Sequence, residues 1–126
     1  MQRHPLCLPW LLALTLTAAP SSAISPRQLM QFGLEAARQG LWREALFRWE
    51  RAVREDAKNP RLRNNLAIAY ESLGRFEEAD REYREALRLA PDNREIHDNH
   101  ESFLEMHPTF KGADDTGTPA PPADHS

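Results

Sequence analysis

Apolar side chains return along this chain at helical intervals, in blocks that glycine and proline separate. Leu29, Phe32, Gly33, Ala36 and Ala37 fall on one face of a helix that Ser25-Pro26 opens. Serine there accepts a backbone hydrogen bond, Pro26 loses no needed donor, and Gln28 completes a capping box. Gly40 ends this helix, because glycine adopts the left-handed cap conformation without steric penalty. Ala45, Leu46, Trp49, Ala52 and Val53 form the stripe of a second helix. Its other faces carry Arg43, Arg48, Glu50, Arg51, Arg54 and Glu55, which read as a solvated surface with i, i+4 pairs such as Glu50–Arg54 and Arg51–Glu55.

Asn59-Pro60 repeats the opening signal. Leu62, Leu66, Ala69, Tyr70 and Leu73 form the third stripe, and Gly74 terminates it. Phe76, Ala79, Tyr83, Ala86 and Leu87 form the fourth, which Ala90-Pro91 stops because proline cannot continue the hydrogen-bond ladder. A fifth helix follows, with Asp92 and Glu95 as its expected capping box. Ile96, His100, Phe103, Leu104 and His107 would face inward, Asp98, Asn99, Glu101 and Glu105 outward, and Pro108 ends it.

A shift of 34 residues carries Gly40 onto Gly74, Glu44 onto Glu78, Ala45 onto Ala79, Ala52 onto Ala86 and Asn59 onto Asn93. Trp42 and Trp49 land on Phe76 and Tyr83. A fixed period in this range marks a helical solenoid. The fold expected is therefore all-α: two helix-turn-helix repeats, residues 24–59 and 60–93, closed by a capping helix over 94–110. The paired helices should cross where Ala67 meets Ala79, with the aromatics packed in the core, and Gly33 should be small because a neighbouring helix passes close.

Units Pro26–Asn59 and Pro60–Asn93 resemble tetratricopeptide repeats. The second supplies Ala67, Tyr70, Gly74, Phe76, Ala79, Tyr83, Ala86 and Pro91 to that family's pattern; the first supplies Gly33, Gly40, Trp42, Ala45, Trp49 and Ala52. Ala36 replaces the usual aromatic and Ala57 stands where proline is expected, which suits a terminal repeat. The resemblance implies a short tetratricopeptide-type α-solenoid that binds a protein or peptide in its concave groove, lined by the first helix of each pair. Here that groove would present Arg27, Met30, Leu34, Ala37 and Arg38, then Arg61, Asn64, Asn65, Ile68, Glu71 and Ser72. Some family members grip a C-terminal carboxylate there. Only Asn65 matches that set: Met30 and Leu34 stand where a lysine and an asparagine are wanted, Glu95 and Asn99 where a lysine and an arginine are.

Composition narrows the rest. Net charge is −3 with basic and acidic residues interleaved, which disfavours a nucleic-acid partner. Residues 1–23 read as a secretory signal peptide: Arg3, an apolar run from Leu6 to Ala19, and small residues before a cut after Ala23. The run is too short for a spanning helix, and an uncleaved anchor is the alternative. The expected destination is periplasmic or secreted. Cys7, the single cysteine, lies in this segment. Residues 111–126, rich in Pro, Gly, Asp and Ala, cannot bury enough apolar surface to order.

No nucleophile–base arrangement and no phosphate loop stand out, so neither an enzyme, a cofactor nor a small-molecule substrate is expected. His97 and His100, with Glu101 or His107, are a weak metal alternative without the HExxH spacing. The leading expectation is an exported adaptor that binds a segment of another protein in the groove. A second is self-association through an open edge of the solenoid.

Overall fold

The computed structural model describes residues 1–2 and 23–112. The signal-peptide reading, and the tail reading from residue 113 onward, lie outside the described residues. Five α-helices follow one another: α1 (Pro26–Arg38), α2 (Trp42–Glu55), α3 (Pro60–Ser72), α4 (Phe76–Leu89) and α5 (Arg94–Met106). A short 3₁₀ turn, η1 (Pro108–Phe110), comes after them. No described residue is in a strand, and no described helix is long and apolar enough to cross a membrane.

The boundaries follow from local chemistry. The Ser25 hydroxyl accepts from the Gln28 amide while the Gln28 side chain accepts from the Ser25 amide, closing the expected capping box. Asn59 Oδ1 accepts from the amides of Arg61 and Leu62. The fifth helix starts one residue later than expected: Asn93, not Asp92, is its cap, accepting from the Ile96 amide at 3.2 Å. Asn93 therefore does for α5 what Asn59 does for α3, one period earlier.

Both hairpin turns use the same device. Gly40 and Gly74 have φ of 75° and 73°. The Leu41 amide returns to the Ala36 carbonyl and the Gly40 amide to Ala37, and Arg75 and Gly74 make the same two bonds to Tyr70 and Glu71. This paired closure satisfies the last carbonyls of each first helix and turns the chain straight into the second.

Helices pack in sequence order, with α3 also touching α5. Leu29, Ala36, Ala45, Leu46, Trp49, Ala52, Leu62, Leu66 and Ala69 form one buried cluster joining the first hairpin to α3. Ala67, Ala79, Tyr83 and Phe103 form a second, joining the other hairpin to α5. Gly33 is small for the expected reason: a Cβ there would lie 2.2 Å from the Trp49 indole nitrogen. Ala67 and Ala79 are both fully buried in one cluster, consistent with close approach of α3 and α4.

Two expectations are corrected. Phe32 is 48% exposed rather than core, with the Arg48 guanidinium 5.8 Å above its ring. Its position matches Leu66, which packs against the preceding hairpin, and no described helix precedes α1 to cover Phe32. The pairs Glu50–Arg54 and Arg51–Glu55 are not among the ion pairs; Arg48 binds Glu44 at 2.6 Å, and Glu50 accepts from the Tyr70 hydroxyl at 2.8 Å.

Candidate functional site

The first helices of the hairpins and α5 line one concave side. Met30, Gln31 and Leu34 of α1, Arg61, Asn64 and Asn65 of α3, and Asn93, Glu95 and Ile96 at the start of α5 enclose about 150 Å³. A neighbouring hollow of about 400 Å³ runs from Pro26, Arg27 and Met30 to Asp56, Asn59 and Arg61. Five expected groove residues, Met30, Leu34, Arg61, Asn64 and Asn65, thus share one concavity, and Arg27 joins Met30 and Arg61 beside it.

The remaining five stand apart. Ala37 packs against the first cluster, and the Ser72 hydroxyl donates to the Ile68 carbonyl at 2.8 Å. Arg38 lies out in solvent, 3.6 Å from Glu35. Ile68 packs against the cluster of Ala67 and Tyr83. Glu71 accepts from the Tyr83 hydroxyl at 2.9 Å, so its carboxylate is committed to the hairpin. Asn64 needs a correction of another kind. It is 3% exposed, and its Oδ1 accepts from Asn99 Nδ2 of α5 at 3.1 Å, so it is a buried floor of the concavity rather than a free amide.

The electrostatics of the groove are open. Arg27 and Arg61 are exposed and have no ion-pair partner among the described residues. Apolar Met30 and Leu34, each half-buried, sit beside them. Such a surface can hold an apolar side chain next to a carboxylate or a backbone carbonyl.

The helical spacing turned His100 inward but did not reveal its buried partner, Asp80. Asp80 and His100 are both buried, with His100 Nε2 2.9 Å from Asp80 Oδ1 and Arg84 Nε 2.7 Å from Asp80 Oδ2. An ionised carboxylate only accepts, so the histidine Nε2 carries the proton and donates. Burial pushes the Asp80 carboxyl up, but the hydrogen bonds from His100 and Arg84 together outweigh it and hold the group below its usual range. The ring of His100 stacks on Tyr83, centroids 5.4 Å apart. This centre fastens α5 to α4. A signal existed in the sequence: the same 34-residue shift places Asp80 on Leu46 and His100 on Leu66, two core positions of the first junction.

The metal alternative meets a different geometry. His97 Nε2 lies 2.6 Å from the Pro91 carbonyl oxygen, while His100 turns inward to Asp80. Among the described residues no three potential ligands converge.

Residues 60–93 match the family model described as tetratricopeptide repeat. Over 81 residues, 64% of its length, the chain is 33% identical to the TPR repeat-containing thioredoxin TTL4 of Arabidopsis thaliana, of which it spans 12%. The chain carries a single cysteine, Cys7, so no Cys-X-X-Cys pair of the thioredoxin type is present in this sequence. Repeats of this family are typically non-catalytic modules that bind protein partners. Residues 60–93 are thus a tetratricopeptide repeat, set within an all-α helical-repeat solenoid.

Proposed function

We propose that this chain is an exported adaptor whose concave face, formed by α1, α3 and the start of α5, takes an extended or helical segment of another protein. The observation that carries the reading is the pair Arg27 and Arg61, exposed and unpaired among the described residues, beside half-buried Met30 and Leu34. Buried Asn64 and its bond to Asn99 hold α3 and α5 at the spacing that keeps the concavity open. A partner segment that pairs an acidic group with an apolar side chain fits this surface. Export rests on the N-terminal segment, and the adaptor role on the groove, so the two fail separately.

Crosslinking in cells identifies the partner, and calorimetry with the purified pair then tests the groove. The double change Arg27→Glu with Arg61→Glu should weaken binding by about tenfold or more, equivalent to roughly 1.4 kcal/mol, and leave the melting temperature unchanged. Unchanged affinity would reject the groove. Export is tested by N-terminal sequencing of the protein recovered from cells: a start at Ile24 supports it, and a start at Met1 rejects cleavage.

A further inference from the structure

Arg27, Arg61 and Glu95 occupy one position of the repeat, at successive steps of 34 residues. Each is the second residue of its helix, in α1, α3 and α5, the three helices that wall the groove. All three are exposed, and none has an ion-pair partner among the described residues. Helix stability does not set this row. The first turn of a helix favours carboxylates and disfavours cations, yet Arg27 and Arg61 both stand there, and neither α1 nor α3 has an acidic residue in that turn. At Glu95 the sign inverts.

The charges differ from wall to wall. Arg27 and Arg61 share their hollow with one carboxylate, Asp56, which accepts from Asn59 Nδ2 at 2.9 Å. Two guanidinium groups against one carboxylate leave that rim positive. The α5 wall presents Glu95 beside uncharged Asn93 and Ile96, while the neighbouring Arg94 has Asp98 at 3.9 Å. Met30 and Leu34 form the apolar wall on α1, and Asn64, bound to Asn99, is the floor. Arg61, Glu95, Met30 and Leu34 border the same 150 Å³ concavity, so the groups they meet lie within a few residues of one occupant. In an extended segment, side chains two residues apart share a face.

We infer that Glu95 is a specificity-determining residue of the groove: it selects an extended partner segment whose apolar side chain is flanked by a base as well as by the acid that Arg27 and Arg61 take. A segment with two acids would bring a like charge against Glu95, and one with two bases a like charge against the arginines. Only unlike flanks satisfy both walls. Selection by Glu95 presupposes that the groove is the binding surface.

Bead-bound peptides Gly-Z-Ala-Leu-Ala-Z-Gly, with each Z Asp, Ser or Lys, test this against the full chain. Wild type should retain peptides with one Asp and one Lys about two- to fivefold better than those with two Asp or two Lys, the span of a solvent-exposed ion pair. Glu95→Lys should shift the preference to two Asp, and Arg27→Glu with Arg61→Glu should shift it to two Lys. The first change is safe for folding because α1 and α3 carry arginine at the same position. A Glu95→Lys chain that keeps the wild-type preference, while retained peptides still shift the Met30 and Leu34 amides, overturns the role of Glu95 and leaves the groove standing. Retained peptides that leave those amides unmoved, or retention of no peptide at all, overturn the groove and the selection with it.

Discussion

Four residues, Gly33, Asp80, Tyr70 and Tyr83, show how much rests on single side chains. Gly33 lies under the Trp49 indole, whose N–H donates to the Met30 carbonyl at 3.1 Å and so cannot swing aside freely. Gly33→Val should cost about 2–3 kcal/mol, the overpacking range, read as a lowered urea midpoint with unchanged slope. Asp80 is the acceptor for both His100 and Arg84, so Asp80→Asn should cost about 2 kcal/mol at pH 7, the loss of charge-assisted hydrogen bonds in a buried place. Its folded pKa is held below the ordinary 3.8, so the carboxylate's contribution is present above that value and is lost as pH falls through the depressed one. Urea melts should therefore show the wild-type advantage over Asp80→Asn shrinking below about pH 4. At the alkaline end, burial, then the hydrogen bond to Glu50, pushes Tyr70 up to about 12, and burial beside Glu71 pushes Tyr83 up as well. Raised phenol pKa values mean stability present below the ordinary pKa of 10.0 and lost as pH rises through the folded values. Phenolate absorbance should accordingly lag that of free tyrosine, and unfolding should advance above about pH 10.

At the scale of the helix, most of the architecture was legible. Pro26, Pro60, Gly40, Gly74 and the caps Ser25 and Asn59 each impose a backbone state, and backbone states do not depend on distant partners. What escaped was set by contacts between helices. Asn64 looked like an exposed amide because its neighbours in sequence are polar, but Asn99, 35 residues away, covers it. Leu46 and Leu66 at the first junction are replaced by Asp80 and His100 at the second; the helical spacing placed His100 inward, but a carboxylate at position 80 scores as surface. Phe32 had the right spacing for a core residue and the wrong end of the stack. Docking of α5 depends on Phe103, whose ring lies within 5.5 Å of those of Tyr83, His107 and Phe110. Phe103→Ala should cost about 3–5 kcal/mol, and hydrogen exchange should show protection lost first in α5 and α4.

Taken whole, the molecule is a short stack with one concave side and two unlike ends. Its groove brings Met30, Leu34, Arg61, Asn64 and Asn65 together, while Arg38 ends α1 in solvent, Ile68 packs against the second cluster and Tyr83 holds Glu71. Consecutive-helix packing gives a solenoid its rigidity along the stack, so a bound segment would meet a preformed surface. Binding through that surface is the central claim, and amide chemical-shift mapping with the partner segment added tests it most directly. The account predicts perturbations concentrated at Met30, Leu34, Arg61 and Asn65, with α2 and α4 nearly silent. Perturbations confined to α2 and α4, with those four positions unmoved, would contradict it.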